Sequence, residues 1–111
     1  MYVKLIIYAP KKEKGNILKR LFQLGAGKFK NYDCYSFVSE GITTFRALEK
    51  AQPKIGTKNK IREVKEVRIE TICRETEYQH IIEEIKKIHP YEEPAFCVYP
   101  LFDAALGGEE L

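Results

Sequence analysis

The stretch HPYEEP, from His89 to Pro94, places a histidine, a tyrosine and two adjacent glutamates between two prolines. Histidine ionises near neutral pH, and a carboxylate beside it can share a proton or a metal ion. The segment therefore carries side chains suited to acid–base catalysis or to metal binding. Neighbouring side chains of an extended segment point in opposite directions, however, so Glu92 and Glu93 do not readily act as one carboxylate pair.

A structural interpretation of HPYEEP competes with the chemical one. Pro90 can end a helix, and each proline restricts the residue before it to extended conformations. Histidine and glutamate side chains can then hydrogen-bond the backbone where the helix turns into a strand. The structural interpretation is favoured, and no catalytic residue is assigned. His89, Glu92 and Glu93 remain a candidate ligand-binding or metal-binding set that an oligomer could complete.

Other candidate sites are weaker. His80, His89 and three dispersed cysteines are the metal donors besides carboxylates, and no zinc-finger or HExxH spacing occurs. We expect His80 to be solvated, because it falls off the apolar stripe of its helix. The glycines of GAGKFKN follow a helix instead of opening one, which does not suit a phosphate-binding loop. Lys58 and Lys60 lie in a basic loop and are candidate anion-binding residues, with simple solvation as the alternative.

Length and composition indicate one ordinary globular domain. The chain has 111 residues, a net charge of +3, 44% hydrophobic residues and no Trp. This mild charge argues against a dedicated nucleic-acid binder, and no apolar run resembles a signal peptide or membrane span. Three free cysteines, Cys34, Cys73 and Cys97, favour a reducing cytoplasm, and we expect each to be a small buried residue within a strand-like run.

The first half of the chain has the pattern of strand, helix and strand. Residues Tyr2 to Tyr8 are β-rich, and apolar residues then recur at helical spacing from Ile17 to Leu24, with Gly25 as a left-handed stop. The runs YDCYSFVSEG and TTFRA are β-prone. Gly41 separates these two runs and predicts that the strand can double back there as a hairpin.

The second half has the same pattern of elements. Residues 64–73 alternate apolar and charged, which predicts a strand with one buried face. Thr76 and Gln79 form a capping-box pattern that would open the second helix, and Pro90 ends it. AFCVYPL is a last strand, and residues 102–111 form a short C-terminal tail. The predicted fold is α+β, a ferredoxin-like split βαβ sandwich with an extra β-hairpin arm, a four-stranded antiparallel sheet and two helices on one face.

Three segments resemble the YqfO family, in particular the insert domain of the NGG-interacting-factor-like proteins. They are GAGKFKNYDCYSF (25–37), KIGTKNKIREVKEVRIETIC (54–73) and HPYEEPAFCVYPL (89–101). The last segment also resembles its counterpart in the CutA divalent-cation-tolerance proteins. This resemblance implies one CutA/PII-like domain over residues 1–111 and an oligomer, with a trimer favoured and β arms reaching across to neighbouring subunits.

The resemblance does not imply hydrolase activity. In the longer relatives two lobes that flank the insert hold paired metal ions, and neither lobe is part of this sequence. The sequence also departs from the family pattern at three positions. Lys30 and Asn59 stand where glycine is usual, and Tyr35 stands where cysteine is usual.

The function expected from these observations is a cytoplasmic, non-enzymatic, self-associating module that binds a small ligand, a metal ion or a partner protein. A divalent metal is a possible cofactor. One alternative is an enzyme whose site forms at a subunit interface with His89 as acid or base. Another is a regulatory lid that docks on a separate metal-dependent protein. Nucleic acid and membrane are not expected partners.

Overall fold

Strand and helix boundaries follow the hydrophobic pattern closely. The computed structural model describes residues 1–49 and 59–102. Its elements, in chain order, are β1 (Tyr2–Ala9), a short 3-10 turn (Lys11–Glu13), α1 (Lys14–Gln23), β2 (Phe37–Arg46), β3 (Ile61–Arg74), α2 (Tyr78–Lys86) and β4 (Phe96–Pro100). The predicted order of strand, helix, strand, strand, helix, strand is confirmed.

The four strands form one sheet in the order β2-β3-β1-β4, and every neighbouring pair is antiparallel. Alternation along β1 and β3 turns one set of side chains toward α1 and α2, which cover the same face of the sheet. The core between the helices and the sheet contains Val3, Leu5, Ile7, Ala9, Ile17, Leu21, Ala26, Val67, Ile69, Cys73, Ile81 and Ile85. The predicted fold class is therefore confirmed.

The helix ends differ in how well the sequence predicted them. Gly25 follows α1 with φ +94°, so the predicted left-handed stop is confirmed. The predicted capping box at Thr76 is wrong. The N-cap residue of α2 is Glu77, and no side chain caps the helix. Thr76 lies one residue too early for its hydroxyl to reach the amides of the first turn.

The predicted reversal at Gly41 is also wrong. β2 runs without a break from Phe37 to Arg46, and Gly41 pairs with Glu66 of β3. A glycine can stay in a strand when a long partner strand supplies continuous hydrogen bonds on one side, as β3 does here. The hairpin instead joins β2 to β3.

The predicted hairpin arm is the far end of this β2–β3 pair. β1 pairs with β3 only as far as Val67. In the described part of the chain, residues 41–46 and 61–66 therefore pair with each other and with no other strand, and they extend past the rest of the sheet. The molecule is accordingly elongated, with extents of 49 × 24 × 24 Å. We call these two segments the arm; most of the loop that joins them, residues 50–58, lies outside the described residues.

The loop from Gly25 to Ser36 is tied to the end of β3. Gly27 N–H donates to Ile72 O at 2.8 Å, and Tyr35 N–H donates to Gly27 O at 2.9 Å. The Thr71 hydroxyl donates to Tyr35 O at 2.8 Å. A Cβ on Gly27 would lie 2.8 Å from both N and O of Tyr35, so the loop requires glycine at this position.

The two departures from the family's glycine pattern both fall at left-handed backbone positions. Lys30 has φ +53° and Asn59 has φ +64°. Asparagine adopts this conformation more readily than most residues, whereas lysine adopts it only rarely. Lys30 is the first central residue of a tight turn in which Phe29 and Tyr32 exchange backbone hydrogen bonds of 2.8 and 2.9 Å. Glycine is usual in such a turn, and Lys30 therefore sits in strained backbone.

The prediction for the cysteines holds only in part. Cys73 is buried in the core, and burial raises its pKa to about 11. Cys97 is half-buried on β4. Cys34 is exposed and has φ +57°, so the prediction that it is a buried strand residue is wrong. The YDC part of the β-prone run (residues 32–34) lies in the loop from Gly25 to Ser36 instead of in β2.

Candidate functional site

His89 lies between the end of α2 and the edge of β1, and both of its ring nitrogens are used. Its Nε2 lies 2.8 Å from the backbone oxygen of Tyr8. Its Nδ1 accepts a hydrogen bond of 3.1 Å from the Tyr91 N–H. Because Nδ1 accepts, the neutral ring carries its proton on Nε2 and donates it to Tyr8 O. The ring is 8% exposed and packs against the rings of Tyr91 and Phe96.

This arrangement gives His89 a positional role. The donated bond fixes the segment to β1, just beyond the point where β4 stops pairing with it. The accepted bond holds the turn that follows Pro90. A general base needs a free lone pair within reach of its substrate, and the lone pair on Nδ1 is already bonded. The geometry favours the structural interpretation of HPYEEP.

The turn exposes its two glutamates. Glu92 and Glu93 are both exposed, while the neighbouring Tyr91 is half-buried. Glu92 interacts with other groups of the protein. In the described part of the chain, no group of three or more histidine, cysteine, aspartate or glutamate side chains could hold a metal ion. His89, Glu92 and Glu93 accordingly do not form such a group within the described part of one subunit.

The candidate anion-binding lysines are only partly described. Lys60 is exposed at the start of the arm's second segment, next to Asn59. Lys58 lies outside the described residues, so its predicted role stays a prediction. His80 is exposed on α2, as predicted from its position off the apolar stripe.

Glu66 and Tyr91 are two polar residues, buried and half-buried respectively, that are not among the candidate site residues expected from the sequence. Glu66 is only 6% exposed, which is unusual for a glutamate. The Tyr91 hydroxyl is also buried, and it lies close to the Glu66 carboxylate without meeting the full geometry of a hydrogen bond. Burial, followed by this contact with Glu66, raises the pKa of Tyr91. The sequence offered no signal for the burial of Glu66, because this charge alternates with apolar residues in the same way as Arg68 and Glu70 do.

The face of the sheet opposite the helices, which we call the outer face, carries both apolar and charged groups. Strand alternation and register assign to it Tyr2, Lys4, Ile6, Tyr8, Phe37, Ser39, Gly41, Glu66, Arg68, Glu70, Ile72, Cys97 and Tyr99. Ile6 and Ile72 are buried there, while Phe37 is 58% and Tyr99 is 51% exposed. Exposed aromatic side chains around a buried apolar centre are typical of a surface that contacts another protein.

Glu70 organises the charges of the outer face. Its two oxygens lie 3.2 Å from Lys4 Nζ and 3.1 Å from Arg68 Nε. The second contact has ion-pair distance without hydrogen-bond alignment, because Arg68 Nε has no hydrogen-bond partner in the described residues. The charges of Lys4 and Arg68 are therefore both directed toward Glu70.

The arm adds exposed apolar surface at one end of the molecule. Ile42 is 64% exposed and Ile61 is 72% exposed. Both side chains lie on the two paired segments of the arm, with which no third strand pairs among residues 1–49 and 59–102. A projecting strand pair with exposed β-branched residues is a surface suited to association with another chain.

Known proteins with similar sequences and structures agree with the fold described above. Residues 55–106 match the family model described as CutA1 divalent ion tolerance protein. A curated relative from Bacillus subtilis, named GTP cyclohydrolase 1 type 2 homolog, is 38% identical over 98 residues, which are 88% of this chain and 26% of the relative. The chain thus spans about a quarter of the length of the curated relatives it matches.

Solved structures show the same two similarities. A Bacillus cereus protein related to NIF3 is 36% identical with a TM-score of 0.78, covering 90% of this chain and 25% of that one. The periplasmic divalent cation tolerance protein CutA from Archaeoglobus fulgidus is 21% identical with a TM-score of 0.71, covering 96% of this chain and 92% of that one. The second match shows a shared fold.

Within the described residues, no helix has the length and apolar character needed to cross a membrane.

Proposed function

We propose that this chain, a CutA-like domain related to the YqfO family, is a non-enzymatic binding module that works as a homo-oligomer, with a trimer as the expected assembly. The observation that carries the proposal is the combination of the outer face and the arm. Phe37 and Tyr99 are exposed on the outer face, and Ile42 and Ile61 are exposed on the arm. Burying these side chains against other copies would remove apolar surface from water.

The oligomer has a direct test in a charged double variant, Phe37→Lys with Tyr99→Lys. We expect the wild-type chain to sediment with about three times the subunit mass of 12.9 kDa, and the double variant to sediment as a single subunit. Ile88→Lys is the matched control, because Ile88 is exposed at the end of α2 instead of on the outer face. A double variant that sediments like the wild type would contradict the proposed interface.

The ligand of such a module is proposed to contact the turn that follows α2. Glu92 and Glu93 are exposed on that turn, and His89 holds it in place. Clefts between subunits bring together side chains that one subunit keeps apart, so carboxylates from several copies can converge. If the ligand is an anion, we propose instead that Lys58 and the exposed Lys60 contact it.

Isothermal titration of zinc and copper into the oligomer tests the metal version of this proposal. We expect binding that weakens about tenfold or more in Glu92→Gln with Glu93→Gln, because carboxylates supply the charge. His89→Ala tests whether the imidazole, or the turn that it holds in place, also contributes to binding. Equal binding by the wild type and all the variants would exclude this site.

A second candidate function is docking on a separate protein. It is favoured by one observation, that Phe37 and Tyr99 are exposed on the outer face, where they can pack against any protein partner. The same outer face would then contact a different polypeptide. Pull-down from the native host tests it, with the Phe37 and Tyr99 double variant as the control. A stoichiometric partner that the double variant loses supports docking, and the absence of such a partner contradicts it.

A further inference from the structure

One corner of the sheet carries three exposed cations, which we call the basic rim: Lys28, Lys30 and Arg74. No ion pair among residues 1–49 and 59–102 includes any of the three. Glu75, which follows Arg74 in the chain, lies instead 3.5 Å from the amino-terminal nitrogen of Met1. The basic rim therefore presents positive charge to the solvent.

Aromatic rings hold two cations of the basic rim in place. Lys30 Nζ lies 5.3 Å from the centroid of the Phe29 ring, and Arg74 Cζ lies 5.1 Å from that of Tyr2. The two rings pack edge to face, with their centroids 6.5 Å apart. Because a cation is attracted to the face of an aromatic ring, Lys30 and Arg74 stand on either side of a packed ring pair.

Lys30 holds its position at a cost to the backbone. Its φ of +53° is one that lysine rarely adopts, and it lies in the tight turn that Phe29 and Tyr32 close. Strained residues of this kind are concentrated where the side chain has a function. Its ammonium group pairs with no carboxylate in the described part of the chain, so the backbone strain and the unpaired charge both indicate an acidic partner outside it.

The chain leaves the sheet beside the basic rim. Leu101 N–H donates to Tyr2 O at 3.1 Å, and Tyr2 is the residue whose ring Arg74 covers. Phe102, the last described residue, is 89% exposed. Residues 103–111, DAALGGEEL, follow it and carry three acidic side chains and no basic one. Nine residues span up to about 30 Å when extended, so the basic rim lies within their reach.

We propose that residues 103–111 dock on the basic rim of their own chain. The acidic side chains that would face its three cations are Asp103, Glu109 and Glu110. Single ion pairs at an exposed surface are weak, so attachment to the same chain matters. A short link gives the acidic segment an effective concentration on the order of millimolar at the basic rim. This contact needs no second copy, and it is therefore independent of the proposed self-association.

The test uses the full chain labelled with nitrogen-15 and follows the amides of Gly107 and Gly108 by NMR. At low salt we expect both amides to show the heteronuclear NOE of restrained backbone. About 0.5 M sodium chloride should lower the NOE to that of a free chain end, because salt screens exposed charges. Lys30→Gln with Arg74→Gln should lower it in the same way at low salt.

A converse variant removes the acids and leaves the basic rim intact. Asp103→Asn with Glu109→Gln and Glu110→Gln should also release the two glycine amides, and it should shift the amide of Lys30. This variant changes only residues that follow the described fold, so its result does not depend on how the charge changes at Lys30 and Arg74 affect folding.

Lys12→Gln with Lys19→Gln is the matched control for the basic rim variant. Both lysines are exposed, and no ion pair among residues 1–49 and 59–102 includes either of them. The control removes the same charge from the surface around α1, and it should leave the glycine amides as in the wild type. An equal release by the control would overturn the proposal, because net charge alone would then account for the effect.

Two further results would overturn the proposal. One is a wild-type chain whose Gly107 and Gly108 amides already behave as a free chain end at low salt. The other comes from mixing the labelled Asp103→Asn, Glu109→Gln, Glu110→Gln variant with unlabelled wild-type chain. A return of the variant's Lys30 amide to its wild-type position would show that a second copy supplies the acidic segment, whereas docking within one chain predicts no change.

Discussion

Replacing His89 by alanine separates the structural role of HPYEEP from a functional one. The side chain makes two hydrogen bonds, to Tyr8 O and from Tyr91 N–H, and each is worth about 1 kcal/mol net. The ring is also buried against Tyr91 and Phe96, and loss of this aromatic packing costs about 1 to 2 kcal/mol more. We therefore expect His89→Ala to lower the free energy of unfolding by about 3 to 4 kcal/mol.

Urea unfolding followed by far-ultraviolet circular dichroism measures this change, at one fixed protein concentration because the oligomer is linked to stability. His89→Phe keeps a ring and loses both hydrogen bonds, so its cost should be about 2 kcal/mol. His80→Ala is the control, since His80 is exposed on α2 and should change stability by less than about 0.5 kcal/mol. A cost below about 1 kcal/mol for His89→Ala would refute the reasoning, because the two hydrogen bonds alone account for more than that.

Three further predictions concern other parts of the molecule. Lys30→Gly should raise the free energy of unfolding by about 0.5 to 1 kcal/mol, since relief of the left-handed strain outweighs the added entropy of glycine; a lower urea midpoint than the wild type would contradict this. Hydrogen bonds from Lys87 and Arg20 lower the pKa of Glu84 below its ordinary 4.5. The stability that comes from Glu84 is therefore present above pH 4.5 and lost as the pH falls through the lowered pKa. Glu84→Gln should accordingly reduce the acid dependence of thermal unfolding below pH 4.5, and an unchanged dependence would count against the ion pair. Cys34 should react with a thiol reagent in the folded protein while Cys73, buried and with its pKa raised to about 11, reacts only on unfolding; equal rates, measured by mass spectrometry of peptides, would show that Cys73 is not buried.

The sequence predicted the fold because the relevant signals are local and repeated. Alternation in residues 64–73 and helical spacing around Ile81 and Ile85 each specify one buried face. Once two helices and four strands are ordered in this way, few topologies remain. The errors at Gly41 and Thr76 arose because a residue type common in turns or caps was overruled by a long partner strand and by a one-residue shift of the helix start. A third error was at Cys34, which is exposed in the loop before β2.

The site was harder to predict because it depends on contacts between distant residues. His89 is bonded to Tyr8, which lies 81 positions earlier in the chain, and nothing in HPYEEP itself indicates that partner. Glu66 reads as an ordinary solvent-facing strand residue until Tyr91 is placed beside it. The glycine positions replaced by Lys30 and Asn59 are the exception, because the family pattern marked them and the backbone there is left-handed.

Native mass spectrometry of the wild-type chain tests the central claim most directly, because it reports the number of subunits and any retained ligand in one spectrum. The proposed self-associating module predicts a main species with about three times the subunit mass of 12.9 kDa. A main species at the mass of one subunit, at micromolar concentration and low salt, would contradict that proposal.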